Sequence, residues 1–369
     1  VHLTIGYKTE AGASLPASIK DGAFSMYYKF SSIIRCSVLI LCFLTAVKGG
    51  AAKPIYDFDG DGRTDFVVQR FNGPGTQLQW FVLQSREGFA AQNWGYQFVS
   101  GMGGDQPGWG DYDGDGKWDV TVVRREPATP YLFWYVLNST DGTMTAQHWG
   151  LRTDTQVPQD YDGDGKTDFA VFRHGWWYIL QSSDGQFHAE PFGNSDSIPF
   201  MGGDYDGDGK DDLAVLQGGL WIRYSATGWW GHYAIGNTQI TGVVSGDYDG
   251  DGKADVAIRQ GNLWLWERSS DGQLGGGLRF GFSTNDIPVP ADYDGDGKTD
   301  IAVFRNGLQD YFYVQQSRDG FLAMPWGRGD ANIFDHRYYP PNGFRPSNLT
   351  GGAFKDKGPF PRLVEIRKN

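Results

Sequence analysis

The sequence predicts an all-β fold: six repeats of about four short strands each, stacked as the blades of a β-propeller, with seven blades as the alternative. Three observations carry this. An acidic nonapeptide, Asp-x-Asp-Gly-Asp-Gly-x-x-Asp, occurs six times, starting at Asp57, Asp111, Asp160, Asp204, Asp247 and Asp292. The starts lie 54, 49, 44, 43 and 45 residues apart, a period that suits one four-stranded blade. Between the loops, runs of β-branched and aromatic residues alternate with turn residues, and helical periodicity is hard to find.

Each element follows in order. Directly after each loop comes a short β-rich run, such as Phe169-Ala170-Val171-Phe172 or Ile301-Ala302-Val303-Phe304. A turn leads into an aromatic strand that ends near Ser-x-Asp-Gly, as in Trp176 to Gly185 and Leu263 to Gly272. A polar run then closes on an apolar residue plus Gly: Trp94-Gly95, Trp149-Gly150, Phe192-Gly193, Ile235-Gly236, Phe280-Gly281 and Trp326-Gly327. A short piece, often Ile-Pro or Val-Pro, leads to the next loop. One such sheet cannot bury its faces alone, whereas radial stacking buries them against neighbours. Lys53-Pro54-Ile55-Tyr56 resembles the strand before the other loops and is a candidate to complete the last blade and close the ring.

The loops place four carboxylates within nine residues, and such crowding repels itself unless a cation neutralises it. In the third copy, Asp160, Asp162 and Asp164 occupy positions 1, 3 and 5, Lys166 at position 7 offers its backbone carbonyl, and Asp168 closes the set at position 9. The other sets are Asp57, Asp59, Asp61, Arg63 and Asp65; Asp111, Asp113, Asp115, Lys117 and Asp119; Asp204, Asp206, Asp208, Lys210 and Asp212; Asp247, Asp249, Asp251, Lys253 and Asp255; and Asp292, Asp294, Asp296, Lys298 and Asp300. All-oxygen ligands in this order, with glycine at position 6, favour Ca²⁺ over Mg²⁺ and over softer metals. Up to about six ions are expected. Position 12 is Val or Ile in every copy, where an EF-hand needs a bidentate acid, so the loop joins strands rather than helices. Gly165-Lys166-Thr167 lacks the glycine that a phosphate loop needs five residues earlier.

The repeat Asp-Tyr-Asp-Gly-Asp-Gly-Lys-Thr-Asp-x-Ala-Val-Phe-Arg, at Asp160 to Arg173 and Asp292 to Arg305, resembles the FG-GAP/VCBS-type repeats. These are related to the calcium-bearing blades of integrin alpha-subunit propellers. The resemblance spans about residues 53–330. It implies a calcium-binding propeller with the loop aspartates as ligands, used for adhesion, glycan binding or as an accessory to an enzyme. Integrin propellers have seven blades, whereas six loops are visible here.

Bulk properties narrow the class. The formal net charge is −12, and the four motif aspartates of the six loops make up 24 of the 44 acidic residues. The metal sites therefore account for the negative balance, which argues against nucleic-acid binding. From Met26 the chain reads like a secretory signal: Lys29 and Arg35, an apolar core at 37–44, then Gly50-Ala51-Ala52. We expect residues 1–25 to be a non-translated or disordered overrun, 26–52 a signal peptide, 53–330 the propeller and 331–369 a Pro/Gly/aromatic-rich tail. Both cysteines, Cys36 and Cys42, fall in the signal, so the expected mature chain has no disulfide, no cysteine nucleophile and no membrane span. A secreted or cell-surface location follows.

No catalytic set stands out; His-Glu-x-x-His and Gly-x-Ser-x-Gly are absent. The leading function is adhesion or glycan/protein binding. A polysaccharide hydrolase or lyase, its accessory domain, and a purely structural surface protein are the alternatives. Trp80, Trp134, Trp177 and Trp264 recur five residues before the turn serine, with Leu220 and Phe312 in the other copies. This recurrence predicts packing between blades. Of the pair Trp176 and Trp177, one is expected to be exposed, because strand neighbours face opposite ways. Arg70, Arg124, Arg173 and Arg305 are expected to pair with carboxylates between blades. Arg328-Gly329-Asp330 reads as an ordinary turn. The loops should gather on one end of the propeller. The longer connections around 72–77 and 128–131, with Phe71 and Tyr131, mark the opposite end as a candidate ligand face.

Overall fold

The computed structural model describes residues 54–71, 75–96, 105–126, 128–234, 240–282 and 286–329, with the side chain of Phe71 excepted. The chain divides into two compact units, Val1–Ala46 and Val47–Asn369, and all described residues belong to the second. The expected overrun, signal peptide and tail lie outside them, as do Lys53 and Asp330.

Six antiparallel sheets follow one another along the chain as six blades. Blade 1 holds β1 (Phe66–Phe71), β2 (Gln77–Gln84) and β3 (Gly88–Tyr96). Blade 2 holds β4 (Gln106–Gly108), β5 (Val120–Arg125), β6 (Tyr131–Leu137) and β7 (Met144–Leu151). Blade 3 holds β8 (Thr155–Gln156), β9 (Phe169–Arg173), β10 (Trp176–Leu180) and β11 (Phe187–Pro191). Blade 4 holds β12 (Ile198–Met201), β13 (Leu213–Leu216), β14 (Leu220–Arg223) and β15 (Trp230–Tyr233). Blade 5 holds β16 (Gly242–Val243), β17 (Val256–Gln260), β18 (Leu263–Glu267) and β19 (Leu278–Arg279). Blade 6 holds β20 (Ile287–Pro288), β21 (Ile301–Arg305), β22 (Gln309–Gln315) and β23 (Phe321–Arg328). The expected all-β propeller of six blades is therefore the observed architecture.

In a four-stranded blade the order is sequential. The strand before the loop pairs with the strand after it, and the aromatic strand follows, then the polar one. The strands after the loops are the core. Ala170, Val171, Ala214, Val215, Ala257, Ile258, Ala302 and Val303 are all buried. β11 and β23, by contrast, alternate or expose their side chains. The strands after the loops are thus buried between neighbouring sheets, and the last strand of each of these blades is the more exposed.

Clusters of apolar residues bridge successive blades: Val123, Leu132 and Trp134 of blade 2 pack with Val171 of blade 3. Leu78 and Trp80 of blade 1 pack with Val122 of blade 2. Phe66 and Val68 of blade 1 pack with Ala302, Phe304 and Phe312 of blade 6, which closes the ring. The indole N–H of Trp94, Trp149 and Trp326 donates to the next blade's Tyr135, Tyr178 and Phe81 carbonyl oxygens at 3.1, 3.1 and 3.4 Å.

Ring closure corrects one expectation. Blade 6 owns its first strand, β20, and needs nothing from the start of the chain. Pro54–Tyr56 forms no strand; Tyr56 adopts φ 59° and its carbonyl oxygen accepts from Asp65 N–H at 3.0 Å. Among the described residues, the first and last blades are joined by side-chain packing and single hydrogen bonds, not by a shared strand.

Candidate metal centres

All six acidic loops connect a first strand to a second strand, or lead into β1, and they are built alike. Glycines at positions 4 and 6 take positive φ; at position 6 the angle runs from 85° to 94°. Only that left-handed conformation turns the chain back so that amides point inward. The position-1 carboxylate accepts the amides of positions 4 and 6 at 2.5–2.7 and 2.8–2.9 Å. The position-9 carboxylate accepts the position-2 amide through Oδ2 at 2.7–2.9 Å.

Sequence reasoning missed the serines. Ser85, Ser139, Ser182, Ser225, Ser269 and Ser317 each donate their amide to Oδ1 of the position-9 aspartate at 2.6–2.7 Å. Five of them also donate Oγ–H to the position-5 aspartate at 2.7–2.9 Å. The aromatic strand thus hands its turn to the loop of its own blade. The recurrence of serine at one place in every repeat was the signal.

The loops are also tied to one another. The position-8 amide of each loop donates to the position-1 carbonyl oxygen of the loop before. The bonds run Trp118 to Asp57, Thr167 to Asp111, Asp211 to Asp160, Ala254 to Asp204, Thr299 to Asp247, and Thr64 back to Asp292, at 2.5–2.8 Å. The expected gathering of loops on one end is thereby met, because these six bonds form a closed circuit. The position-7 cations lean the same way. The stems of Lys117, Lys166, Lys210, Lys253, Lys298 and Arg63 lie against the position-4 glycines Gly60, Gly114, Gly163, Gly207, Gly250 and Gly295. A Cβ on Gly207 would stand 2.7 Å from the Lys253 side chain, so these glycines serve close approach as well as turning. Lys253 Nζ donates to the Asp206 carbonyl oxygen at 2.8 Å.

In each of five loops the structure brings three of the four expected carboxylates together: positions 1, 3 and 5 in loops 1, 2 and 5, and positions 1, 3 and 9 in loops 3 and 4. Oxygens of Asp57, Asp59 and Asp61 lie within 4.8 Å of one another, as do those of Asp111, Asp113 and Asp115 and those of Asp160, Asp162 and Asp168. Asp204, Asp206 and Asp212, and Asp247, Asp249 and Asp251, do the same. Burial, reinforced by neighbouring carboxylates and opposed by amide hydrogen bonds, pushes Asp65, Asp212 and Asp300 up to about 7. Asp119, Asp168 and Asp255 are pushed to about 6 by the same causes. Burial also raises Asp57, Asp111, Asp247 and Asp292. Asp59 and Asp294 are fully buried, yet their Oδ1 atoms accept no hydrogen bond. Buried acceptors left bare are costly, and a hard cation would satisfy them. The donor set therefore fits a metal with oxygen preference.

The arginine expectation is corrected in part. Arg124, Arg173 and Arg305 make bidentate pairs with the buried Asp105, Asp154 and Asp286, at 2.6–2.8 Å. Each carboxylate sits on the link that enters the arginine's own blade, 19 residues earlier, rather than on a neighbour's sheet. The guanidinium groups lie 4.7 Å over Tyr135, Tyr178 and Tyr313. On the opposite end from the loops, Tyr131 is exposed at the start of β6, edge-on to His148 at 4.4 Å. Trp176 is exposed and Trp177 buried, as strand alternation requires.

The profile of the FG-GAP-like repeat family matches residues 57–122, 160–215, 204–258 and 247–303, together more than half of the chain. Among solved structures, the chain is similar to an Agrocybe aegerita lectin that recognises non-reducing terminal N-acetylglucosamine. That match has a TM-score of 0.47 and 16% identity, over 72% of this chain and 77% of that one. The tricorn protease matches with a TM-score of 0.27 and 15% identity, over 68% of this chain and 28% of that one. At these scores neither structure carries an argument about this chain. No curated protein matches it significantly.

Proposed function

The chain belongs to the FG-GAP-like repeat family, and from that premise we propose that it is a calcium-held binding module of the cell exterior that engages glycans or proteins along its rim. Each loop would hold one ion through its aspartates at positions 1, 3, 5 and 9 and the carbonyl oxygen of position 7. The sets are the six given above, from Asp57 to Asp65 through Asp292 to Asp300. Affinity in such modules is on the order of 0.1–1 mM. Calcium at that level is available outside cells, in keeping with the signal-like segment at 26–52. Among the described residues no helix is long and apolar enough to cross a membrane.

One observation carries the rim reading. At one register position just beyond the turn serine, opposite the residue two before it, every blade places a large apolar side chain: Phe89, Met144, Phe187, Trp230, Leu274 or Phe321. Phe89, Met144, Phe187, Leu274 and Phe321 are 56–67% exposed. Three of the rings stack on an aromatic of their own blade: Phe89 on Phe81, Phe187 on Tyr178 and Phe321 on Tyr313. Trp326, Trp149 and Phe280 approach them from the preceding blade at 5.6–6.4 Å. Exposed apolar groups repeated in this way mark a contact surface, and flat rings suit the C–H face of a sugar.

Glycan-array binding by the mature chain in calcium tests the reading. Binding is expected, and Phe187→Ala with Phe321→Ala should abolish it without unfolding the protein. Release of cleaved products from a polysaccharide would replace the binding reading with an enzymatic one. No binding to glycan or protein ligands in calcium would remove it.

A further inference from the structure

The six loops fall into two kinds, and the division coincides with the place where the ring has no covalent link. Successive blades are joined by the chain itself, except blade 6 to blade 1. Loops 1 and 6 meet at that seam, where Thr64 N–H donates to Asp292 O at 2.7 Å and the Arg63 stem lies on Gly295. In these two loops alone the position-3 aspartates, Asp59 and Asp294, are fully buried; Asp113, Asp162, Asp206 and Asp249 are only partly buried.

The cause is a turn one residue shorter. Blades 1 and 6 carry Ser85-Arg86-Glu87-Gly88-Phe89 and Ser317-Arg318-Asp319-Gly320-Phe321, and the fourth strand resumes at once. In blade 6, Gln316 N–H closes the turn on Gly320 O, whereas in blade 2 Asn138 N–H reaches Thr143 O, one residue further. The tight turn aims two amides at one carboxylate oxygen. Arg86 and Glu87 donate to Asp59 Oδ2 at 2.9 and 3.0 Å, and Arg318 and Asp319 donate to Asp294 Oδ2 at 3.0 Å each. Arg86 and Arg318 also donate through Nη2 to the Asp59 and Asp294 carbonyl oxygens.

With Oδ2 held twice, Oδ1 is fixed, buried and without a hydrogen bond in both loops. Arg318 Nη2 stands 4.0 Å from Asp294 Oδ1, beyond hydrogen-bond reach. In the middle loops the corresponding Oδ1 is already used. Asp113, Asp162, Asp206 and Asp249 each accept the position-5 amide there at 3.2 Å. An ion entering a middle loop competes with that bond and with solvent. An ion entering a seam loop meets a positioned, desolvated oxygen that accepts no hydrogen bond. Site rigidity and ligand charge are what set calcium affinity in such loops.

We propose that loops 1 and 6 are the two tightest calcium sites of the chain, and that their ions clasp the first blade to the last. This rests on the calcium reading of the loops given above. The seam is the one blade junction whose opening no peptide link resists, so a pair of rigid, filled loops there holds the circuit of inter-loop bonds shut.

The test is calorimetric titration of the full chain with calcium, together with Asp59→Asn, Asp294→Asn, Asp113→Asn and Asp162→Asn. The wild type should show about two sites roughly tenfold or more tighter than the rest. Asp59→Asn and Asp294→Asn should each remove one tight site, while Asp113→Asn and Asp162→Asn remove only weak ones. A single homogeneous class, or a tight class that survives both seam substitutions, overturns the proposal. Hydrogen exchange on the unmutated chain covers the case where a variant fails to fold. At two equivalents of calcium the amide of Thr64 should gain protection before that of Thr167; simultaneous protection overturns the clasp. Absence of any calcium binding by the wild type is a different result, and it would defeat the metal reading itself.

Discussion

Five of the six blades set two large apolar side chains one strand apart in opposite surroundings; in blade 4 the outer one, Trp230, is partly buried. On the aromatic strand Trp80, Trp134, Trp177 and Trp264 are almost wholly buried, and Leu220 and Phe312 take their place in blades 4 and 6. Each indole N–H donates to a carbonyl oxygen at or just past the end of the blade's last strand, that of Trp94, Trp149, Phe192 or Phe280, at 2.9–3.2 Å. Just beyond the turn, Phe89, Met144, Phe187, Leu274 and Phe321 face solvent. Both rows recur with the repeat, so recurrence alone does not separate scaffold from contact surface. Burial and a satisfied polar handle do. The interior of the blade, with its metal loop, carries stability; the rim is free to carry recognition.

The largest expected effect acts on the interior alone, because all six loops respond together. Without calcium, the position-9 carboxyls titrate near 6–7 in the folded chain, against an ordinary value of about 3.9 unfolded. A raised carboxyl favours the fold fully below the unfolded value and ceases to do so above the folded one. In chelator, then, the melting temperature should fall as pH rises from about 4 to 7. In calcium the ion takes over from the protons and the melting temperature should hold or rise across that window. Parallel curves in a thermal melt series would remove calcium from the interior.

Trp134→Ala comes next. Deleting a fully buried indole and its hydrogen bond should cost about 3–5 kcal/mol in urea denaturation. Arg173→Met should cost less, about 2 kcal/mol, by leaving the buried Asp154 carboxylate without its bidentate partner. A smaller loss than that from an exposed surface ion pair would show that Asp154 finds another donor. Phe187→Ala is the smallest stability effect, within about 0.5 kcal/mol, and should register only in ligand binding. If it destabilised the chain as much as Trp134→Ala, the division between interior and rim would fail.

Much of this was legible in the sequence. Four aspartates at fixed places in nine residues define a loop locally, and the run Phe169-Ala170-Val171-Phe172 reads as a buried strand without reference to anything distant. Other signals were present but unread. Asp105, Asp154 and Asp286 each precede their arginine by 19 residues. The turn serine recurs in every repeat, and an arginine after it marks the two shortened turns. The closure of the ring was misread, because Pro54–Tyr56 shares composition with first strands but not their pairing.

The sequence by itself determined the repeat, the carboxylate sets and the order of strands, because each is a matter of spacing within a few residues. The tertiary structure decided which aromatic of each blade is buried and which faces water. It also decided that each loop rests on its predecessor through Thr64 and its counterparts, and that loops 1 and 6, which carry Asp59 and Asp294, meet at one seam. Those contacts join segments a whole blade or the whole ring apart. No local spacing encodes them, since they exist only once the sheets have stacked and the last blade has returned to the first.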